Sequence, residues 1–66
     1  MTVHINGEPT ELPDDITLAD AIARVTAARE GLAAAVNSTV VPRSAWPTTH
    51  LATGDRLELL TAVQGG

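Results

Sequence analysis

Cysteine, lysine, phenylalanine and tyrosine are all absent from this 66-residue chain, and one tryptophan is the entire aromatic complement. Without a thiol there is no disulfide scaffold, no thiolate metal site and no cysteine nucleophile. Without lysine there is no ε-amine for conjugation or for a Schiff base. Four arginines face eight aspartates and glutamates, for a net charge of −4. Nucleic acid is an unsuitable partner, because its phosphates require a cluster of cations that this chain does not have. The acidic balance suits solubility and a basic docking surface on another protein. No stretch approaches the ~18 apolar residues of a membrane span. Met1-Thr2-Val3-His4 lacks the basic start and apolar run of a secretion signal. The expectation is a cytoplasmic protein that engages neither membrane nor nucleic acid.

A chain this short makes one domain, and it buries only about 60% of its unfolded surface. That leaves room for one thin core and no deep substrate cavity. Val3 and Ile5 alternate with Thr2 and His4, the period of a half-buried strand. Asn6-Gly7 is a strong hairpin signal, since a type I′ turn needs positive φ at both central positions. Glu8 to Leu12 then returns antiparallel, and Pro9, lacking an amide donor, places that strand at a sheet edge. Thr17 with Asp20 resembles a capping box. Leu18, Ile22 and Val25, flanked by Ala21 and Ala28, form an apolar stripe at helical spacing. The pattern predicts a helix over roughly 18–30, stopped at Gly31.

Leu32 to Asn37 reads as a strand, Asn37-Ser38 as a turn, and Val40-Val41 as a brief strand closed by Pro42. Arg43 to Ala52 contains two turn-like stretches, and Arg56 to Thr61 is the last strand. Leu57-Glu58-Leu59-Leu60 within it reads as buried. Hairpin, helix, strand, short strand and strand together give an α+β fold. One main helix packs across a mixed sheet of four or five strands, with the last strand beside the first near the sheet centre. This is a β-grasp, or ubiquitin-like, arrangement.

Few side chains suggest chemistry. His4 points outward on the first strand and His50 sits in a loop, without the three or four converging ligands of a metal site. Asp14-Asp15 suits the positive end of the following helix. Ser38 and Ser44 read as turn residues. Trp46 reads as packing rather than as an interface anchor. The chemistry-bearing feature is instead Gly65-Gly66, the last two residues of the sequence. Glycine has no Cβ, so such an end passes through a narrow channel and offers an unhindered α-carboxylate. Residues 62–66 span about 17 Å when extended. The chain is therefore expected to divide into a body, 1–61, and a flexible tail, 62–66. Gly66 would bear the reacting carboxylate, and Gly65, Gln64 and Val63 would thread a partner's active site. Leu60 and Ala62 would contribute to docking, a role weighed evenly against packing at the core edge. No catalyst is evident among the side chains, so any reaction at Gly66 would be performed by another protein.

Several of these residues together resemble a known family. The run Val36-Asn37-Ser38-Thr39-Val40-Val41-Pro42-Arg43, then Trp46, then Gly54-Asp55, then Gly65-Gly66, is similar to the ThiS sulfur carriers of thiamin biosynthesis over essentially the whole chain. Gly-Asp and Gly-Gly are shared with other ubiquitin-like carriers, including the molybdopterin synthase small subunit. The Val-Pro-Arg segment followed by Trp is more specific. The resemblance implies that an E1-like adenylyltransferase of the ThiF class activates the Gly66 carboxylate with ATP. Sulfur from a cysteine desulfurase persulfide would then displace AMP and leave a thiocarboxylate. A thiazole synthase of the ThiG class would take that sulfur into the thiazole ring. The carrier itself would bind no cofactor and would not be an enzyme. The sequence departs from common members in having no aromatic in its last strand and Gln64 before the glycine pair, differences that bear on partner contacts. A carrier for molybdopterin or cysteine synthesis, or an interaction module without sulfur chemistry, stands as the alternative.

Overall fold

The computed structural model describes residues 1–26 and 31–61. The chain begins with a hairpin, β1 (Thr2–Ile5) and β2 (Glu8–Glu11), paired antiparallel with Ile5 opposite Glu8. Asn6 and Gly7 both take positive φ, 51° and 86°, as a two-residue turn between right-twisted strands requires. Pro9 lies in β2 at the sheet edge, where its missing amide donor interrupts no ladder. The body continues with α1 (Leu18–Val25), β3 (Leu32–Val36), β4 (Thr39–Val41), a 3₁₀ helix (Arg43–Thr48) and β5 (Arg56–Thr61).

The five strands lie in the order β2-β1-β5-β3-β4. β5 is central, parallel to β1 and antiparallel to β3. α1 covers one face of the sheet. Leu18, Ala21 and Ile22 from the helix join Val3, Ile5, Ala34 and Leu57 from the strands in one buried cluster. Among the described residues no helix is long and apolar enough to cross a membrane.

Thr17 caps the helix as its spacing predicts: the side-chain oxygen accepts from the Asp20 amide at 3.1 Å. This satisfies one of the amides that a helix start leaves without an internal partner. Thr17→Ala should therefore cost about 1 kcal/mol. For a domain of this size the melting midpoint should fall by about 4–8 °C, measurable by circular dichroism. An unchanged midpoint would contradict the role given to the cap.

The helix is shorter than its apolar pattern suggests. It ends at Val25, and Thr26 is extended at φ −153°, with its amide donating to the Ile22 carbonyl at 3.0 Å. Two β-branched residues in succession lose rotamer freedom in a helix, which favours leaving it here. Val25 accordingly stands 41% exposed rather than joining the buried stripe. Ala28 and the rest of the expected last turn, 27–30, lie outside the described residues. Gly31 does take positive φ, 69°, but it leads into β3 rather than stopping α1 at its end.

The segment after β4 is more ordered than two turns. Pro42, at φ −63°, precedes a six-residue 3₁₀ helix that carries Trp46 into the core. Trp46 is only 7% exposed, and its indole N–H donates to the Val41 carbonyl at 2.9 Å. The Arg43 guanidinium lies 5.7 Å above its ring centre, within cation–π range. The packing role expected for Trp46 is the one observed. The following residues clasp the helix start, with Leu18 donating to Thr49 and Leu51 donating to Ile16.

Candidate functional site

β5 leads from the core toward the C-terminal residues, so its surroundings define the candidate site. Leu57 faces the helix and is 0% exposed, and Leu59 packs half-buried against the same core. Glu58 and Leu60 face the other way, and Leu60 is 69% exposed. The expected buried run Leu57-Glu58-Leu59-Leu60 is thus half right. The strand is central in the sheet, but the helix covers only one of its faces, and period two sends alternate residues to the open side.

Register shows what surrounds Leu60 on that open face. Leu60 lies opposite Ala33, Glu58 lies opposite Ala35, and Ala35 lies opposite Val40 on β4. Val40 is 72% exposed. Two branched aliphatic side chains therefore flank the alanines of β3, with Glu58 next to Leu60 on β5 and across Ala35 from Val40. His4 and Arg56 pair across β1 and β5 farther along the sheet, and His4 is exposed as its alternation predicts. His50 is also exposed and bridges to Thr17.

Leu60 thus stands in the open rather than packing at the core edge. Ala62, Val63, Gln64, Gly65 and Gly66 lie outside the described residues, as does the proposed division into body and tail. Thr61 is the last described residue, paired with Leu32 on β3.

Sequence reasoning missed three contributors. Val40 was visible as one of two adjacent valines on a short strand, of which period two turns one outward. The others are Asn6 and Asn37, legible from sequence only as turn formers. Asn37 accepts from the Arg56 amide at 3.0 Å and donates to an Asp55 carboxylate oxygen at 3.1 Å. The second Asp55 oxygen accepts from the Ala52 amide at 2.8 Å. Asn6 accepts from the Leu59 amide at 2.8 Å and donates to the Leu59 carbonyl at 3.3 Å. Two turn asparagines, both at φ 51°, thereby hold β5 at two points along its length.

A five-stranded mixed sheet, one helix across it, the last strand at its centre and parallel to the first: this is a β-grasp, ubiquitin-like domain. The ThiS family model matches residues 3–66, and the chain belongs to the ThiS family. A crystal structure of a thiamine biosynthesis protein (ThiS) from Geobacter metallireducens superposes with a TM-score of 0.87 at 25% identity, covering 100% of both chains. An NMR solution structure of a thiamine biosynthesis protein from the same organism gives 0.82 at 25% identity, over 100% of this chain and 88% of that one. An uncharacterised protein, ycf40, of Porphyra purpurea is 29% identical over 66 residues, which are 100% of this chain and 93% of that protein.

Proposed function

We propose that this protein is a sulfur carrier of thiamin biosynthesis, a protein co-substrate rather than an enzyme. The observation that carries the reading is a family match that spans residues 3–66 and so includes the terminal Gly65-Gly66. In this reading the Gly66 carboxylate attacks the α-phosphate of ATP in an E1-like enzyme, forming an acyl adenylate and releasing pyrophosphate. A carboxylate resists sulfur nucleophiles until one oxygen becomes a leaving group, and AMP is that group. The outer sulfur of a desulfurase-derived persulfide then attacks the carbonyl carbon and displaces AMP, giving an acyl disulfide. A second thiol reduces its S–S bond, releasing the thiocarboxylate and leaving a disulfide on the sulfur donor. A thiazole synthase accepts the sulfur while the tether keeps it positioned in the receiving site.

The body's part is recognition. The open sheet face around Leu60 and Val40 provides an apolar surface for docking, since both side chains are largely exposed on one side of the sheet. A net charge of −4 would complement a basic surface on the activating enzyme. Gly65, Gln64 and Val63 would then run into its active site, with Ala62 at the edge of the docked surface.

Mass spectrometry of the intact protein tests this. After incubation with the cognate E1-like enzyme, ATP and a sulfur source, the chain should gain the mass of one oxygen replaced by sulfur. Fragmentation should place the change at Gly66, because there is no cysteine to hold sulfur elsewhere. Omitting ATP should prevent it. An active enzyme and an unchanged mass would leave a ubiquitin-like interaction module as the better description.

A further inference from the structure

The end of β5 is held by a side chain standing in for a strand. β1 and β5 run parallel, with the His4 amide donating to the Asp55 carbonyl and the Asn6 amide to the Leu57 carbonyl, each at 2.9 Å. The next rung of a parallel ladder would bring the Leu59 amide to a main-chain carbonyl of the neighbouring strand. That strand has ended: β1 stops at Ile5, and Asn6 turns into the hairpin at φ 51°. The Asn6 carboxamide supplies the missing rung. Its oxygen accepts from the Leu59 amide at 2.8 Å, and its nitrogen donates to the Leu59 carbonyl at 3.3 Å. A carboxamide presents one acceptor and two donors in one plane, so it pairs with both backbone groups of a single residue. A carboxylate lacks the donor, and a hydroxyl is too short to span both groups.

The bonds link residues 53 positions apart, and they fall two residues before the last described residue, Thr61. On its other side β5 remains paired to β3 through Thr61. We infer that Asn6 is a positioning residue: its carboxamide fixes the direction in which β5 delivers the C-terminal glycines to the activating enzyme. The inference rests on the carrier reading above. Asn6 touches no reacting atom in this role and acts through β5. A strand free to splay on its β1 side would swing the carboxylate across a wider arc. Small displacements of a reacting group are costly in rate, on the order of a hundredfold for 1 Å.

Two variants separate this role from a structural one. Asn6→Gly accommodates the positive φ of the turn and removes the carboxamide. Asn6→Asp keeps an acceptor for the Leu59 amide but sets a carboxylate against the Leu59 carbonyl. Amide exchange followed by NMR should show Leu59 exchanging roughly tenfold faster in Asn6→Gly, with Val3 and Leu57 unchanged. In steady-state adenylation by the cognate E1-like enzyme, kcat should fall about tenfold in Asn6→Gly. KM for the carrier should hold within about twofold, because an interaction that acts in the transition state lowers kcat rather than ground-state binding. Asn6→Asp should fall between this variant and the wild type in both measurements. Wild-type kcat in both variants would overturn the inference, as would undiminished protection of Leu59. A raised KM at constant kcat would also overturn it by assigning Asn6 to docking. A wild-type chain that a demonstrably active enzyme never adenylates would instead overturn the carrier reading, and the positioning role with it.

Discussion

A chain that stops at Gly65 is expected to form no detectable adenylate with an active E1-like enzyme and ATP, while melting within about 4 °C of the intact protein. The two halves of this result have separate causes. The buried cluster of the described residues runs from Val3 to Leu57, and glycine has no side chain to add to it. Reach behaves differently. Removing one residue withdraws the carboxylate by about 3.5 Å, as much as the separation between reacting atoms in a productive complex. In the proposed complex the docked body would not advance to compensate, because its sheet face would set the distance. Adding one residue after Gly66 should be equally disabling, since the Gly66 carbonyl then becomes an amide and the new carboxylate overshoots. Gly65→Val should block activation without unfolding, because a β-branched side chain widens the tail and narrows its backbone angles. Pyrophosphate release and intact mass report both steps. A chain ending at Gly65 that still acquired sulfur would remove Gly66 from the mechanism.

Leu57→Ala should be the most damaging aliphatic truncation in β5, whereas Leu60→Ala should leave stability almost untouched. Leu57 is 0% exposed among the core side chains, and emptying such a site costs about 2–5 kcal/mol. Total stability in small domains is about 5–15 kcal/mol, and a chain of 66 residues has a small core. The variant should therefore unfold at a much lower urea concentration. A polar residue at Leu57, Ile5 or Ile22, all buried, should leave the protein close to unfolded. Leu60 is on the uncovered face, and its truncation should stay within about 0.5 kcal/mol of wild type. Its cost should appear in binding, as a KM for the activating enzyme raised about tenfold at constant kcat. Equal urea midpoints for the two alanine variants would show that the two faces of β5 are wrongly assigned.

Much of this was legible locally. Asn6-Gly7 requires positive φ at two adjacent positions, so it announces its hairpin whatever lies around it. Thr17 bonds an amide only three residues away. The order of elements then leaves few ways to cover one sheet with one helix, and the edge position of Pro9 narrows them further. Helix length was less legible. Alanines and apolar spacing continue past Val25, and a β-branched pair is a weak stop signal beside a glycine. The 3₁₀ helix was obscure for a related reason: so short an element has no periodicity to read, and Trp46 orders it by a bond to Val41 and by burial.

The docking face and the hold on β5 belong to a different category. The five leucines and valines in β4 and β5 have nearly the same hydrophobicity, yet Leu57 is enclosed while Leu60 and Val40 stand in solvent. Only the side on which α1 packs distinguishes them. In the same way, Asn6 and Asn37 each carry a local signal for a turn, and nothing near either one names its partner on β5. By itself the sequence determined the strands, the start of the helix, the place of the last strand beside the first and the resemblance carried by its motifs, because turns, caps and alternation act over a few neighbouring residues. The tertiary structure alone decided which face stays open and which side chain completes the last rung, because those depend on contacts between residues as far as 53 positions apart.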